Sequence, residues 1–573
     1  MAINAESTVH RSLADQLVDK AQVEQNLLAE SWKDWPNEAG FVGLTEHRGP
    51  LELKVKGTIP AYAAGTLWRN GPGLSSVENT RNGTHQVSHW FDGLAHMHKF
   101  DINAPSADGG ASTVTYSSRR QTDDVIADIK KRGWRTGVTF AQKADPCVGI
   151  FAKAQSFFKL RQENHNVAIQ RNMPGLSSRA HIDAGHRTGT ANMVLTTDQG
   201  TYQDINAETL EPYEIVNQKQ LHPDLTGPLS CAHPQQDAKT GDVYSYNLAF
   251  GRVATYRVFR VSAATGKTDI LATVYGSGIV AAYIHSFFLT ENYVVLMIPS
   301  SHLGLNGAKI PLARTILDSV VPFDKANKCQ WVVVDRHHDK GVVARFSTPA
   351  GFFFHSVNAF EETVHDKDEG ERTDVCLDYI HFDTTSIMYH SYYDVILNRN
   401  DATKRFFSKG GSIKDANPRF VRQRFRMPKG KQDAREAATA TAQEDFTIHG
   451  PHSGELPAIN PAYACKPYRY VFSTSNRGKS TIADALVKTD LQSRDALIWC
   501  GPRGHCPGEP IFIARPGASD EDDGVILSVV LDGTAKTSYM LCLDAKTMTE
   551  MGRAEADFAI AFGLHGTYAA AVK

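Results

Sequence analysis

Asp242-Val-Tyr-Ser-Tyr-Asn-Leu-Ala-Phe250, Ala254-Thr-Tyr-Arg-Val-Phe-Arg-Val261 and Ile270-Leu-Ala-Thr-Val274 follow one another with only short connections between them. Their β-branched and aromatic residues alternate or run together over strand lengths, and Ala263-Ala-Thr-Gly-Lys267 supplies a turn before the third. The same meander recurs on either side. Trp331–Val334 and Val342–Phe346 flank the polar turn Asp335-Arg-His-His-Asp-Lys-Gly341, and Val525–Leu531 and Ser538–Leu543 flank a turn opened by Asp532-Gly533. Such hairpins run from about residue 50 to the end, and helical periodicity is scarce. The pattern predicts an all-β array of the propeller type. No fixed repeat is visible, so the number of blades is not readable from repeats.

Composition narrows the classes of function. The 573 residues are 41% hydrophobic and 22% charged, with a formal charge of −2. A nucleic-acid partner is therefore not expected. The first residues lack a basic and apolar secretory signal, and no apolar run reaches the roughly 18 residues that span a bilayer. Eight cysteines without a CxxC pair read as reduced thiols, so the expected location is the cytoplasm. There is no GxSxG elbow, no Walker-type phosphate loop and no strand–GxGxxG–helix unit.

Three segments stand apart from the meander. Residues 1–40 read as an N-terminal helical arm, with Leu13, Leu17, Val18, Val23, Leu27 and Leu28 at helix-like spacing. Residues 41–573 then form a single β domain, with cap insertions at 121–190 and 300–325 and a polar loop at 427–446. Within the first insertion, residues 147–160 form a candidate amphipathic helix. It either buries its apolar face as a cap or turns that face to lipid.

Four histidines carry the chemistry. They lie in Ser230-Cys231-Ala232-His233-Pro234, Tyr283-Ile284-His285-Ser286-Phe287, Phe352-Phe353-Phe354-His355-Ser356 and Gly563-Leu564-His565-Gly566. No helix or hairpin unites positions so far apart, so only a closed scaffold brings them together. Neutral imidazoles suit a divalent first-row metal, and each needs an acceptor on its second nitrogen to fix tautomer and direction. Four histidines are less typical of zinc, which keeps three ligands and a water or uses cysteines. A single histidine on an apolar strand is more often packed core, and the chain has 23. A rival set is His89, His96 and His98, the last two on one strand face. The Trp-Phe-Asp-Gly between them reads as a structural turn.

The four contexts, together with Gly65-Thr-Leu-Trp-Arg-Asn-Gly-Pro-Gly73 and His89-Trp-Phe-Asp-Gly-Leu-Ala-His96, resemble the carotenoid cleavage oxygenase family. This is the iron-dependent family that includes retinal-forming and stilbene-cleaving enzymes and the retinoid isomerase of the eye. The resemblance covers nearly the whole chain outside the arm, and the overall sequence style, including its insertions, is similar to fungal members that cleave torulene or β-carotene. It implies a seven-bladed β-propeller with a helical cap over its top face, and Fe(2+) held by His233, His285, His355 and His565. It places Glu455 and Glu509 as carboxylates behind the ligand histidines and Thr197 beside a coordination position. Asp198 falls where the family keeps a third glutamate. Being one methylene shorter, it is expected to reach its histidine poorly or through a water.

The reaction so implied is O2-dependent cleavage of a conjugated double bond in an apolar polyene, a carotenoid or apocarotenoid, giving two aldehydes. A stilbene or phenylpropanoid is the alternative substrate, and Arg120 falls where stilbene-cleaving relatives keep a phenol-binding tyrosine. A retinoid-type isomerase and a non-catalytic binding propeller are further alternatives. Tyr283, Phe287, Phe353 and Phe354 flank the histidines and are candidates for lining a tunnel, although strand alternation lets only about half face inward. A substrate that lives in membranes predicts peripheral membrane contact, through 147–160 and 303–323.

Overall fold

The meander that opened the sequence forms three consecutive antiparallel strands, Val243–Ala249, Thr255–Val261 and Thr268–Val274, with Leu229–Ser230 and Gln235–Gln236 both paired to the first. The computed structural model describes residues 7–572 except 106–110, 144–163, 177–185, 367–369, 409–412, 414–416, 431, 433–436 and 438. The proposed helix at 147–160 lies outside the described residues.

The remaining sheets repeat the same antiparallel plan. One contains Ala168–Arg171, Met193–Thr196, Thr201–Ile205 and Pro212–Asn217. Another contains Phe288–Leu289, Tyr293–Ile298, Cys329–Asp335 and Val342–Thr348. Phe352–Asp366, Gly370–Phe382, Arg419–Arg426 and Gln443–His449 follow, then Glu455–Ala458, Tyr470–Ser475, Ala485–Asp490 and Ala496–Trp499. A ten-stranded sheet joins the chain's ends: Gly524–Asp532, Thr537–Asp544 and Glu550–Glu555 continue through Leu51–Gly57 into Thr113–Arg120, Leu94–Asn103 and Gly65–Leu74, where the last strand, His565–Ala570, adds on.

The packing explains why these strands read as apolar runs rather than clean alternations. Along Gly524–Asp532, Val525, Leu527 and Val529 pack with Leu53, Phe100 and Val114. Ile526 and Val530 face the other way and pack with Phe472, Leu486 and Leu541. One face is therefore covered by the far strands of the same ten-stranded sheet and the other by Tyr470–Ser475 and Ala485–Asp490, and each fully buried aliphatic contributes about 1.5–3 kcal/mol.

The expectations for the flanking segments need correction. The arm is only partly helical. Val9–Arg11 is a strand paired with Ala496–Ile498, and the helix is Gln16–Leu28. Its buried face is Gln16, Asp19, Val23, Asn26 and Leu27, while Leu13, Leu17, Val18 and Leu28 are exposed. The polar loop placed at 427–446 ends earlier, because Gln443 already begins a strand and Met427 is buried. In the second insertion Ile310, Ile316, Leu317 and Val320 are core, leaving Leu305 and Leu312 on the surface. Among the described residues no helix is long and apolar enough to cross a membrane.

Candidate metal centre

Edge strands deliver the four histidines. His233 sits between Leu229–Ser230 and Gln235–Gln236, His285 just before Phe288–Leu289, His355 within Phe352–Asp366, and His565 opens His565–Ala570. Each of these strands lies at the end of its sheet, and one ring nitrogen from every histidine falls within 4.8 Å of the others. The Nε2 atoms of His233 and His285 are 3.2 Å apart, and those of His355 and His565 are 3.1 Å apart. The strand bearing His355 slips register between Phe353 and Ser356, and the consecutive residues Phe354 and His355 both border one cavity.

Carboxylates hold three of the rings from behind. His285 Nδ1 lies 2.9 Å from Asp198 Oδ1, and His565 Nδ1 lies 2.8 Å from Glu509 Oε1. His355 Nδ1 is bonded to Glu455 Oε2. Among the described residues no carboxylate contacts His233. The sequence expectation for Asp198 is corrected here: the shorter side chain reaches its histidine directly. Tyr283 donates its hydroxyl to Asp198 Oδ2 at 2.8 Å and so braces the carboxylate. Glu509 is clamped as well, its Oε2 accepting from Arg69 Nη1 at 3.0 Å and from the Gly566 amide at 2.7 Å. Burial pushes the Glu509 carboxyl up to about 7, and Arg69 pulls it back.

The ring chemistry fits a cation. Burial, reinforced by the neighbouring histidines, holds His233 and His565 well below the ordinary imidazole range, so both are neutral. Where Nδ1–H points to a carboxylate, Nε2 offers a lone pair, and those of His355 and His565 face each other at 3.1 Å. Two nitrogens each about 2.1 Å from one ion and at right angles would stand about 3 Å apart, close to the spacings observed. An ion here would sit among imidazole nitrogens, with the carboxylates one bond removed orienting three of the rings.

A cavity of about 240 Å³ meets His285, His355 and His565 and is walled by Trp90, Phe91, Phe140, Phe354 and Phe382, with Thr197 also in its lining. Of the four residues proposed to line a tunnel, only Phe354 does so. Tyr283 is turned to Asp198, Phe353 stacks on Phe288 and meets Tyr379 edge-on, and Phe287 is in the main core. For Phe353, alternation along the strand is the reason: it precedes Phe354, and successive side chains face opposite ways unless a bulge intervenes. Trp90 and Phe91, read from sequence as parts of a turn, are cavity wall, and their motif of consecutive aromatics was the only signal. A second cavity of about 120 Å³ meets His233 among Gln235, Ser286 and Ser356.

The rival histidines go elsewhere. His89 Nε2 bonds the Met388 carbonyl at 2.8 Å, and His98 Nδ1 bonds the Tyr116 hydroxyl at 2.8 Å. Among the described residues only His233, His285, His355 and His565 cluster as a metal-binding group. Arg120 is not in the cavity wall; its guanidinium donates to the Leu44 carbonyl at 3.3 Å.

Known proteins can now be set beside this geometry. A family described as retinal pigment epithelial membrane protein matches residues 41–570. The torulene dioxygenase of Fusarium fujikuroi is 51% identical over 576 residues, 99% of this chain and 99% of the relative. The carotenoid dioxygenase of Neurospora crassa is 47% identical over 98% of this chain and 95% of its own. Among solved structures, a Synechocystis apocarotenoid oxygenase variant superposes with a TM-score of 0.69 at 22% identity, covering 94% of this chain and 98% of that one. With the family match spanning nearly the whole β domain, the chain belongs to the retinal pigment epithelial membrane protein family, that of the carotenoid cleavage oxygenases.

Proposed function

We propose that the protein is a non-heme Fe(II) dioxygenase that cleaves one conjugated double bond of a carotenoid or apocarotenoid with O2, giving two aldehydes that each take one oxygen atom. The observation that carries this reading is the junction of four convergent imidazoles with an aromatic-walled cavity in one site. Identities near 50% over the full length to a torulene dioxygenase and a carotenoid dioxygenase support the substrate class.

His233, His285, His355 and His565 would hold the ion, and Asp198, Glu455 and Glu509 would fix the three rings they touch. Iron, when bound, supplies the redox chemistry by which dioxygen adds to an alkene. The chain's own residues do the rest. Phe91, Phe140, Phe354 and Phe382 present flat apolar faces that orient an extended polyene and exclude water. Thr197 narrows the space beside the histidines, which favours a single approach to the ion.

The architecture we infer is a seven-bladed propeller with the insertions as its cap, residues 1–40 forming an arm and 41–573 one domain. It is supported by the serial antiparallel sheets, by the division of the ten-stranded sheet at Leu51–Gly57 into two blades, and by the return of the last strand to Gly65–Leu74. A cytoplasmic enzyme drawing substrate from a membrane surface would use the 303–323 segment, where Leu305 is 72% and Leu312 64% exposed.

The test is incubation of the Fe(II)-loaded protein with carotenoids, apocarotenals and hydroxystilbenes under labelled O2, followed by mass analysis. Paired aldehydes from a polyene, each bearing label, are expected. Cleavage of hydroxystilbenes alone would overturn the substrate class, and an isomerised product without label would overturn the reaction.

A further inference from the structure

We propose that the N-terminal helix Gln16–Leu28 is a wall of the substrate cavity, and that Val23 and Leu27 on it, with Phe407, select substrates by the length of the end that reaches them. The proposal rests on the polyene-cleaving reading above and assigns it a specificity element outside the β domain.

The helix reaches the cavity through one narrow face. Val23 and Leu27, a turn apart, are both 3% exposed and line the same cavity that meets His285, His355 and His565. Phe407 lines it beside them, and all three share a core cluster with Trp32 and Ile413. The opposite face of the helix, with Leu17 and Leu28, is exposed.

A wall measures length only if it is held in place, and this one is held at four points. Strand Val9–Arg11 extends a sheet by pairing His10 with Leu497. Arg11 binds Asp19 through two bonds of 2.7 Å, and buried His452 binds the same carboxylate at 2.8 Å. Asn26 donates to the Arg477 carbonyl at 2.7 Å. Gly478, with φ +80°, lets the helix backbone close in: a Cβ there would stand 2.5 Å from the Val23 carbonyl oxygen. The loop so pinned also lends Asn476 and Ile482 to the cavity.

The test compares kcat/KM of the iron-loaded, full-length enzyme across carotenoids and apocarotenals of graded polyene length, with melting curves for every variant. Leu27→Trp is expected to lower the long-to-short ratio about tenfold or more, a pocket-filling effect of ordinary size. Leu28→Trp, on the exposed face, is expected to leave that ratio unchanged. Should Leu27→Trp not fold, Leu27→Ala and Val23→Ala carry the test and are expected to move the ratio toward longer substrates. Parallel loss on all substrates, with the ratio fixed, would show a structural role and overturn the proposal. Failure of the wild-type enzyme to cleave any polyene would instead overturn the reaction. The same ratio, read from binding by polyene absorbance shifts, then decides the wall.

Discussion

The centre depends on residues that never touch the ion, and their contributions separate by experiment. Tyr283 donates to Asp198, which in turn orients His285. Removing the hydroxyl in Tyr283→Phe leaves the ring packed but the carboxylate less fixed, so metal affinity should fall about 10–100-fold. Competition titration with a chelator measures it, and unchanged affinity would show that Asp198 needs no brace. His285→Ala removes a nitrogen from the cluster itself, and metal analysis after dialysis should find the site largely empty. Arg69 is different, since it carries a full charge that meets the carboxylate behind His565. It is 3% exposed and neutralises buried Glu509, so Arg69→Met strands a carboxylate and should cost about 3–5 kcal/mol by denaturant unfolding. The histidines were legible in sequence because each sits in a distinctive context. Tyr283 and Arg69 were not, because a hydroxyl or guanidinium shows its partner only when remote strands meet. Arg69 in fact lies inside the quoted Gly65–Gly73 motif, yet nothing local points from it to Glu509.

At the scale of elements, the meander was readable and the arm was not. Strands such as Val525–Leu531 announce themselves by β-branched runs closed with Asp-Gly, and the expected hairpins lie where they were placed. The arm's helix misleads because its buried face is half polar. Asp19 and Asn26 anchor it, while the leucines that suggested periodicity, Leu17 and Leu28, point outward. Asp19 is the keystone, since it is 2% exposed and satisfies both Arg11 and His452. Asp19→Ala removes the carboxylate that Arg11 and buried His452 share, leaving Arg11 the longer contact to Asp15 at 3.4 Å. The expected outcome is local release of the arm, seen as protease cleavage within residues 7–35 at doses that spare the wild type. Cleavage there at wild-type rates would mean that the strand Val9–Arg11 alone secures the arm.

Across the whole molecule, the four histidines come from four different sheets, so an ion bound to all of them adds a tie between regions that also meet through packing and hydrogen bonds such as Ser286 Oγ to the Phe354 carbonyl at 2.7 Å. Closure is already provided once by backbone, where Asn70 pairs with His565 at the junction of Gly65–Leu74 and the last strand. That pairing places a ligand histidine on the closing strand itself. Metal binding and retention of the last strand are therefore linked, and an ion that binds only the folded state adds about 2.7 kcal/mol when free metal is at 100 times Kd. Stripping the metal should lower the melting temperature in a single step, with restoration on adding Fe(II). His233→Ala should melt at one temperature whether or not metal is present. Its ring is not held by a carboxylate among the described residues, so its loss removes a metal donor without stranding a buried charge. A His233→Ala protein that still gains stability from Fe(II) as the wild type does would show that three histidines suffice for the tie.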